Sequence, residues 1–170
     1  MAYVDWEFAK STGRALVPAG PTLSLTEAEA EVSAIRAAAR AAREPVAETA
    51  RMQTPDSAPE ALVVDRATWI GVNTDSMSAM LDPALDTVLS GRDQPNATVQ
   101  AIGSKVTGAE AGALLAFMAS KVLGQYDLAP GGTPRLMLVA PIMVAVATEL
   151  DVDRADFRAW VCMHEETHRV

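Results

Sequence analysis

Asp153-Arg154-Ala155-Asp156-Phe157-Arg158-Ala159-Trp160-Val161-Cys162-Met163-His164-Glu165-Glu166-Thr167-His168-Arg169-Val170 is the stretch on which the reading of this chain turns. Asp153 is an N-cap residue, and Asp156 adds acidic charge to the first turn of the helix it would start. Phe157, Trp160, Val161, His164 and His168 follow at helical spacing, a stripe that is apolar at its start and imidazole at its end. A stripe of that kind places the histidine pair at the edge of a core. His164-Glu165-Glu166-Thr167-His168 is an HExxH motif, and its two histidines are the only ones in the chain. Positions i and i+4 lie about 40° apart on one helix face, so both imidazoles can reach one zinc ion. Glu165 flanks that face, where a carboxylate could take a proton from an attacking water.

Chance produces HExxH on the order of once in a few hundred chains of this length, given average residue usage. The plain alternative is a helix ending in residues that suit the negative end of its dipole, a role His164, His168 and Arg169 would fill. Cys162 points away from the histidine face and reads as a small buried hydrophobe. Glu166 also lies off that face and reads as solvated.

A catalytic zinc usually has three protein ligands and one open position. The motif supplies two. Asp127, Glu149 and Asp151 are upstream candidates for the third, but none has a diagnostic spacing. The last helix has no Gly or Pro stop signal, which reads as a cut rather than an end. The expectation is therefore the N-terminal portion of a larger metallohydrolase. Its last stripe would lack a cover, and self-association through that end would follow.

At 170 residues the chain is one domain's worth of sequence, long enough for a sizeable core. Its net charge of −8 argues against a nucleic-acid partner and against anionic membrane surfaces. A single cysteine excludes an internal disulfide and fits a reducing compartment. The first six residues form neither a basic nor an apolar leader region, and the apolar run 136–147 is too short to span a bilayer. These features together predict a cytoplasmic protein with no membrane partner. Abundant alanine and sparse β-branched runs favour a mainly α fold with at most a short strand element.

The rest of the chain is read in that frame. Val4, Trp6, Phe8 and Ala9 predict a short docked helix, and Pro18 to Pro21 a turn. Ser24/Glu27 and Thr26/Glu29 are alternative capping boxes for a helix running to about Arg43, with Val32, Ile35, Ala39 and Ala42 facing inward. Pro45 starts a second helix or kinks the first. Residues 54–60 and 92–96 read as loops. Asp65 caps a helix from Arg66 toward Leu81 with Trp69, Val72, Met77 and Met80 in the core, and Asp82-Pro83 opens another. Thr107 and Glu110 form a capping box for a central, buried helix to Leu123, in which Gly108 and Gly112 allow close helix packing. Residues 124–127 leave that helix, and Pro130-Gly131-Gly132 is a turn. Leu136 to Val139 is the best strand candidate, and Ile142 to Leu150 is helical.

A series of segments carries a resemblance. In order they are Val4-Asp5-Trp6, Leu16-Val17-Pro18, Leu81-Asp82-Pro83, Val106-Thr107-Gly108-Ala109, Gly112-Ala113-Leu114-Leu115-Ala116-Phe117, Val122-Leu123-Gly124-Gln125-Tyr126-Asp127, Leu138-Val139-Ala140-Pro141, Asp156-Phe157-Arg158 and His164 to Val170. The chain resembles a family of zincin-like candidate hydrolases, whose members are often labelled zinc-dependent metalloproteases or associated with biosynthesis of a deazaflavin cofactor. Ile142 stands where many members have Asn. The resemblance spans nearly all of residues 1–170 and implies one zincin-like helical domain with a small sheet element. It also implies zinc as cofactor, His164 and His168 as ligands, and Glu165 as catalytic base. Two readings follow. One is a zinc-dependent hydrolase, a peptidase acting on a peptide or small-molecule substrate that the sequence does not name. In that reading Leu136 to Val139 is the local candidate for a strand that aligns substrate. The other is a non-catalytic helical scaffold that acts through protein contacts.

Overall fold

The computed structural model describes residues 3–52, 55, 58–91, 96–128, 130 and 132–170. In chain order its elements are α1 (Trp6–Leu16), α2 (Leu25–Ala41), α3 (Arg43–Ala50), β1 (Leu62–Val64), α4 (Arg66–Leu89), α5 (Ala97–Met118), β2 (Gly124–Asp127), β3 (Arg135–Val139), α6 (Ala140–Glu149) and α7 (Arg154–Thr167). The fold is mainly α with one small sheet, as the composition predicts. Parts of the predicted 54–60 loop, 92–96 loop and 130–132 turn lie outside the described residues. Among the described residues no helix is long and apolar enough to cross a membrane.

The chain divides into two compact units. The first comprises residues up to Pro18 and Arg66–Ser120, and holds α1, α4 and α5. Asp5 caps α1 by accepting a hydrogen bond from the Phe8 amide at 2.9 Å. α1 packs on α5 where α5 is small: a Cβ at Gly108 would stand 2.5 Å from the Asp5 carbonyl oxygen. The expected packing role of these glycines is borne out. The helix around them differs from expectation. It begins at Ala97, capped by Asn96, and Thr107 is an interior residue whose hydroxyl donates to the Gly103 carbonyl at 3.1 Å. Nor is it buried all round. Its small face, with Leu115 and Ala116, turns inward, whereas Val106, Leu114 and Phe117 are exposed, Phe117 at 64%.

In α4, Trp69, Ile70 and Thr74 are buried, but Met80 is exposed. The helix does not stop at Asp82-Pro83 and runs on to Leu89. A proline removes only one backbone donor, and side-chain bonds hold the turn beside it. The Asp82 carboxylate accepts from the Trp6 indole at 2.8 Å and from the Ser78 hydroxyl at 2.9 Å.

The second unit comprises Ala19–Asp65 and Lys121–Val170. Of the two candidate capping boxes for α2, Ser24 with Glu27 is the one formed. Pro45 lies in the first turn of the separate helix α3, where its missing N–H costs nothing. The sheet order is β1-β3-β2, with β1 parallel and β2 antiparallel to β3. β3 was legible as a strand because it is a buried apolar run; Leu136 to Val139 are all inaccessible. β1 and β2 are three and four residues long and were not predicted. Leu138 joins Ile35, Ala39, Ala42, Met143, Val161 and Cys162 in the core, so α2, α6 and α7 meet over the sheet.

Candidate metal centre

α7 carries the motif, and its start is set as the sequence predicts. The Asp153 carboxylate accepts from the amides of Ala155 at 2.8 Å and Asp156 at 3.0 Å. These bonds favour the charged form and hold its carboxyl below the usual aspartate range. Arg158 pins α7 to α2 through Glu31 at 2.7 Å.

The predicted stripe is split: Val161 is buried and Phe157 packs against the core, whereas the Trp160, His164 and His168 part faces outward. Trp160 is 56% exposed, and His164 and His168 are exposed with it. Their rings form a ladder. Trp160 stacks on His164 with centroids 5.8 Å apart, and His164 meets His168 edge-on at 5.2 Å. The buried face of α7 is the other one, formed by Val161, Cys162, Glu165 and Glu166. Burial pushes the Cys162 thiol up to about 12, so it is an inert core residue, as expected.

The two adjacent glutamates divide sharply. Glu166, expected in solvent, is completely buried and bonded by the Arg169 guanidinium at 3.2 Å. The same guanidinium donates to the Pro59 carbonyl oxygen. The i,i+3 spacing of Glu166 and Arg169 was the available signal for this pair. Glu165 is 6% exposed; its carbonyl oxygen accepts from the His168 amide, while its carboxylate makes no hydrogen bond or ion pair to a described residue. Desolvation pushes its carboxyl above the usual glutamate range, while the neighbouring His164 and His168 pull it down. A buried carboxylate with no partner costs stability, and such groups cluster where chemistry is done.

The side chain of Glu165 lies against the start of β2. A Cβ at Gly124 would stand 2.6 Å from its Cγ and Cδ and 3.0 Å from Oε1. Of the proposed third ligands, Asp127 is buried at the far end of β2 and paired with Arg135 at 2.9 Å. Glu149 and Asp151 are exposed around the end of α6. Among the described residues no group of three His, Cys, Asp or Glu side chains could hold a metal ion. His164 and His168 present two imidazoles on one exposed face of α7, ring centroids 5.2 Å apart, with the Glu165 carboxyl on the neighbouring buried face.

The profile of zincin-like metallopeptidases matches residues 4–170. The chain belongs to this family. A crystal structure of a candidate hydrolase with a novel fold from Chloroflexus aurantiacus is similar to this chain, with 26% identity and a TM-score of 0.72. The match covers 98% of this chain and 52% of that one, so the chain spans about half the length of the structure it matches. No curated protein matches the chain. Membership of the zincin-like metallopeptidases implies zinc as the cofactor of the family in general.

Proposed function

We propose that the chain forms the histidine-bearing part of a zinc-dependent peptidase, with His164 and His168 as metal ligands and Glu165 as general base. The observation that carries this reading is the contrast between the glutamates: Glu166 is satisfied by Arg169, while Glu165 is buried, unpartnered and next to both imidazoles. Bound zinc supplies Lewis-acid polarisation of the scissile carbonyl and a lowered pKa for a water molecule. Glu165 accepts the proton of the attacking water and returns it to the leaving amine. Its raised carboxyl pKa brings it closer to the neutral range in which a general base works best. Burial against β2 also limits the directions in which its carboxyl can face.

The substrate-aligning strand is reassigned. β3 is the central strand, paired on both sides, and cannot accept another. β2 touches α7 through Gly124 and Glu165 and is an outer strand of the three-stranded sheet. Its outer edge is the one that suits a peptide backbone by strand addition. An apolar groove of about 340 Å³ between α3 and α7, lined by Pro45, Val46, Trp160, Met163 and His164, adjoins the histidine pair.

The exposed Trp160 ring on the same face favours a second reading, a helical module that works through protein contacts. Hydrolysis of an internally quenched peptide library separates the two. The peptidase reading expects turnover that 1,10-phenanthroline abolishes and added zinc restores. Turnover indifferent to the chelator, or a chain that takes up no zinc, favours the module.

A further inference from the structure

We propose that Gly124 is the positioning residue for the Glu165 carboxyl: the missing side chain at the first residue of β2 is the space the carboxyl occupies. This rests on the reading of Glu165 as the base.

A glycine inside a strand weakens it, because it has no side chain to pack and more backbone freedom to lose. It is kept there for one of two reasons, a backbone conformation other residues avoid or a close approach by another group. The first does not apply to Gly124. It sits in regular antiparallel register with Leu138, and Gly91 is the one glycine of positive φ among the described residues. The second does apply. Of the atoms near the Cβ that Gly124 lacks, the nearest three all belong to Glu165, at 2.6 Å (Cδ and Cγ) and 3.0 Å (Oε1). Real Cβ atoms essentially never come within 3.0 Å of a heavy atom, so even alanine forces the carboxyl to move.

The direction of movement matters. On one side of Glu165 lies the core of the second unit, with Val161 and Cys162 buried on the same helix. On the other lies the face carrying His164 and His168. No hydrogen bond to a described residue holds the carboxyl, so its position is set by shape alone, and Gly124 is the wall of that shape. The same contact ties the base to the edge strand proposed to align the substrate. One residue of β2 thus fixes the base relative to the peptide backbone that the strand would bind, and misplacement by about an ångström is enough to cost catalysis dearly.

Gly124→Ala, Glu165→Ala and the double variant test this in the full chain with zinc added, by thermal unfolding, zinc content and steady-state hydrolysis of the quenched peptide library. The expected result is a Gly124→Ala chain that keeps its zinc and its KM but loses at least about tenfold in kcat. Its Tm falls in the wild-type background and falls much less in the Glu165→Ala background. An equal Tm loss in both backgrounds overturns the contact. An unchanged kcat, or a loss of zinc and KM together with kcat, overturns the positioning role. A wild-type chain with no zinc-dependent turnover defeats the reading of Glu165 as base, while the unfolding comparison still decides whether Glu165 fills the space at Gly124.

Discussion

Glu165→Gln is expected to leave zinc bound and to lower kcat for peptide hydrolysis by about 10²–10⁴-fold, the usual contribution of a general base. Gln keeps the length and shape of Glu, so the contact with Gly124 and the packing of α7 persist. Neither imidazole is altered, so metal affinity is retained. What disappears is the capacity to accept a proton. The substitution has a second consequence in the metal-free chain. The folded-state pKa of Glu165 is raised by burial, so the folded state holds this proton more tightly than the unfolded state does. Stability is then lost as pH rises from the ordinary glutamate value through the raised one. Gln carries no charge and avoids that loss. Metal-free Glu165→Gln should therefore unfold at a higher temperature than the wild type at pH 7, and the gap should close near pH 4. Retained turnover sinks the assignment of the base. A lower Tm at pH 7 would show that the carboxylate is held by favourable contacts.

Arg169→Ala is expected to destabilise the chain by about 3–5 kcal/mol, the cost of removing one partner from a buried ion pair. Both side chains of the Glu166–Arg169 pair are almost inaccessible, at 1% and 3% exposure. The substitution strips the guanidinium from a fully buried carboxylate and also removes the donor to Pro59. For a chain of this size that corresponds to a Tm fall on the order of 10 °C. Replacing the pair together, with Glu166→Gln and Arg169→Met, should cost much less, since no buried charge remains. A Tm for Arg169→Ala within a degree or two of wild type would mean that water reaches Glu166 in solution. Glu165 and Glu166 share a helix turn, yet only the change at Glu165 is expected to act directly on turnover.

How much of this was legible in the sequence follows from where each signal lies. Helix positions that obey local rules could be read directly. Ser24 with Glu27 starts α2, Asp153 starts α7, and Ile35, Ala39 and Ala42 face inward as their spacing requires. The apolar run of β3 marked the one strand buried on both faces among the described residues. β1 and β2 escaped because three or four residues carry no period, and their pairing depends on a partner far along the chain. His164, His168 and Glu165 are singled out by the motif alone. The side of α7 that faces the core could not be found in this way. Trp160 at helical spacing reads as core, but the buried face is fixed by α2, α6 and the sheet. The burial of Glu166 followed from the same misplaced face. Gly124 was seen only as the end of a helix, since its role depends on a residue 41 positions later in the sequence.

The central claim is that His164 and His168 form one metal site. Calorimetric zinc titration of the purified chain beside His164→Ala/His168→Ala tests it most directly, with bound metal confirmed by elemental analysis. The account predicts one zinc per wild-type chain and none in the double variant, with the two proteins unfolding at similar temperatures when metal-free. Zinc bound equally by both proteins, or by neither, would contradict it.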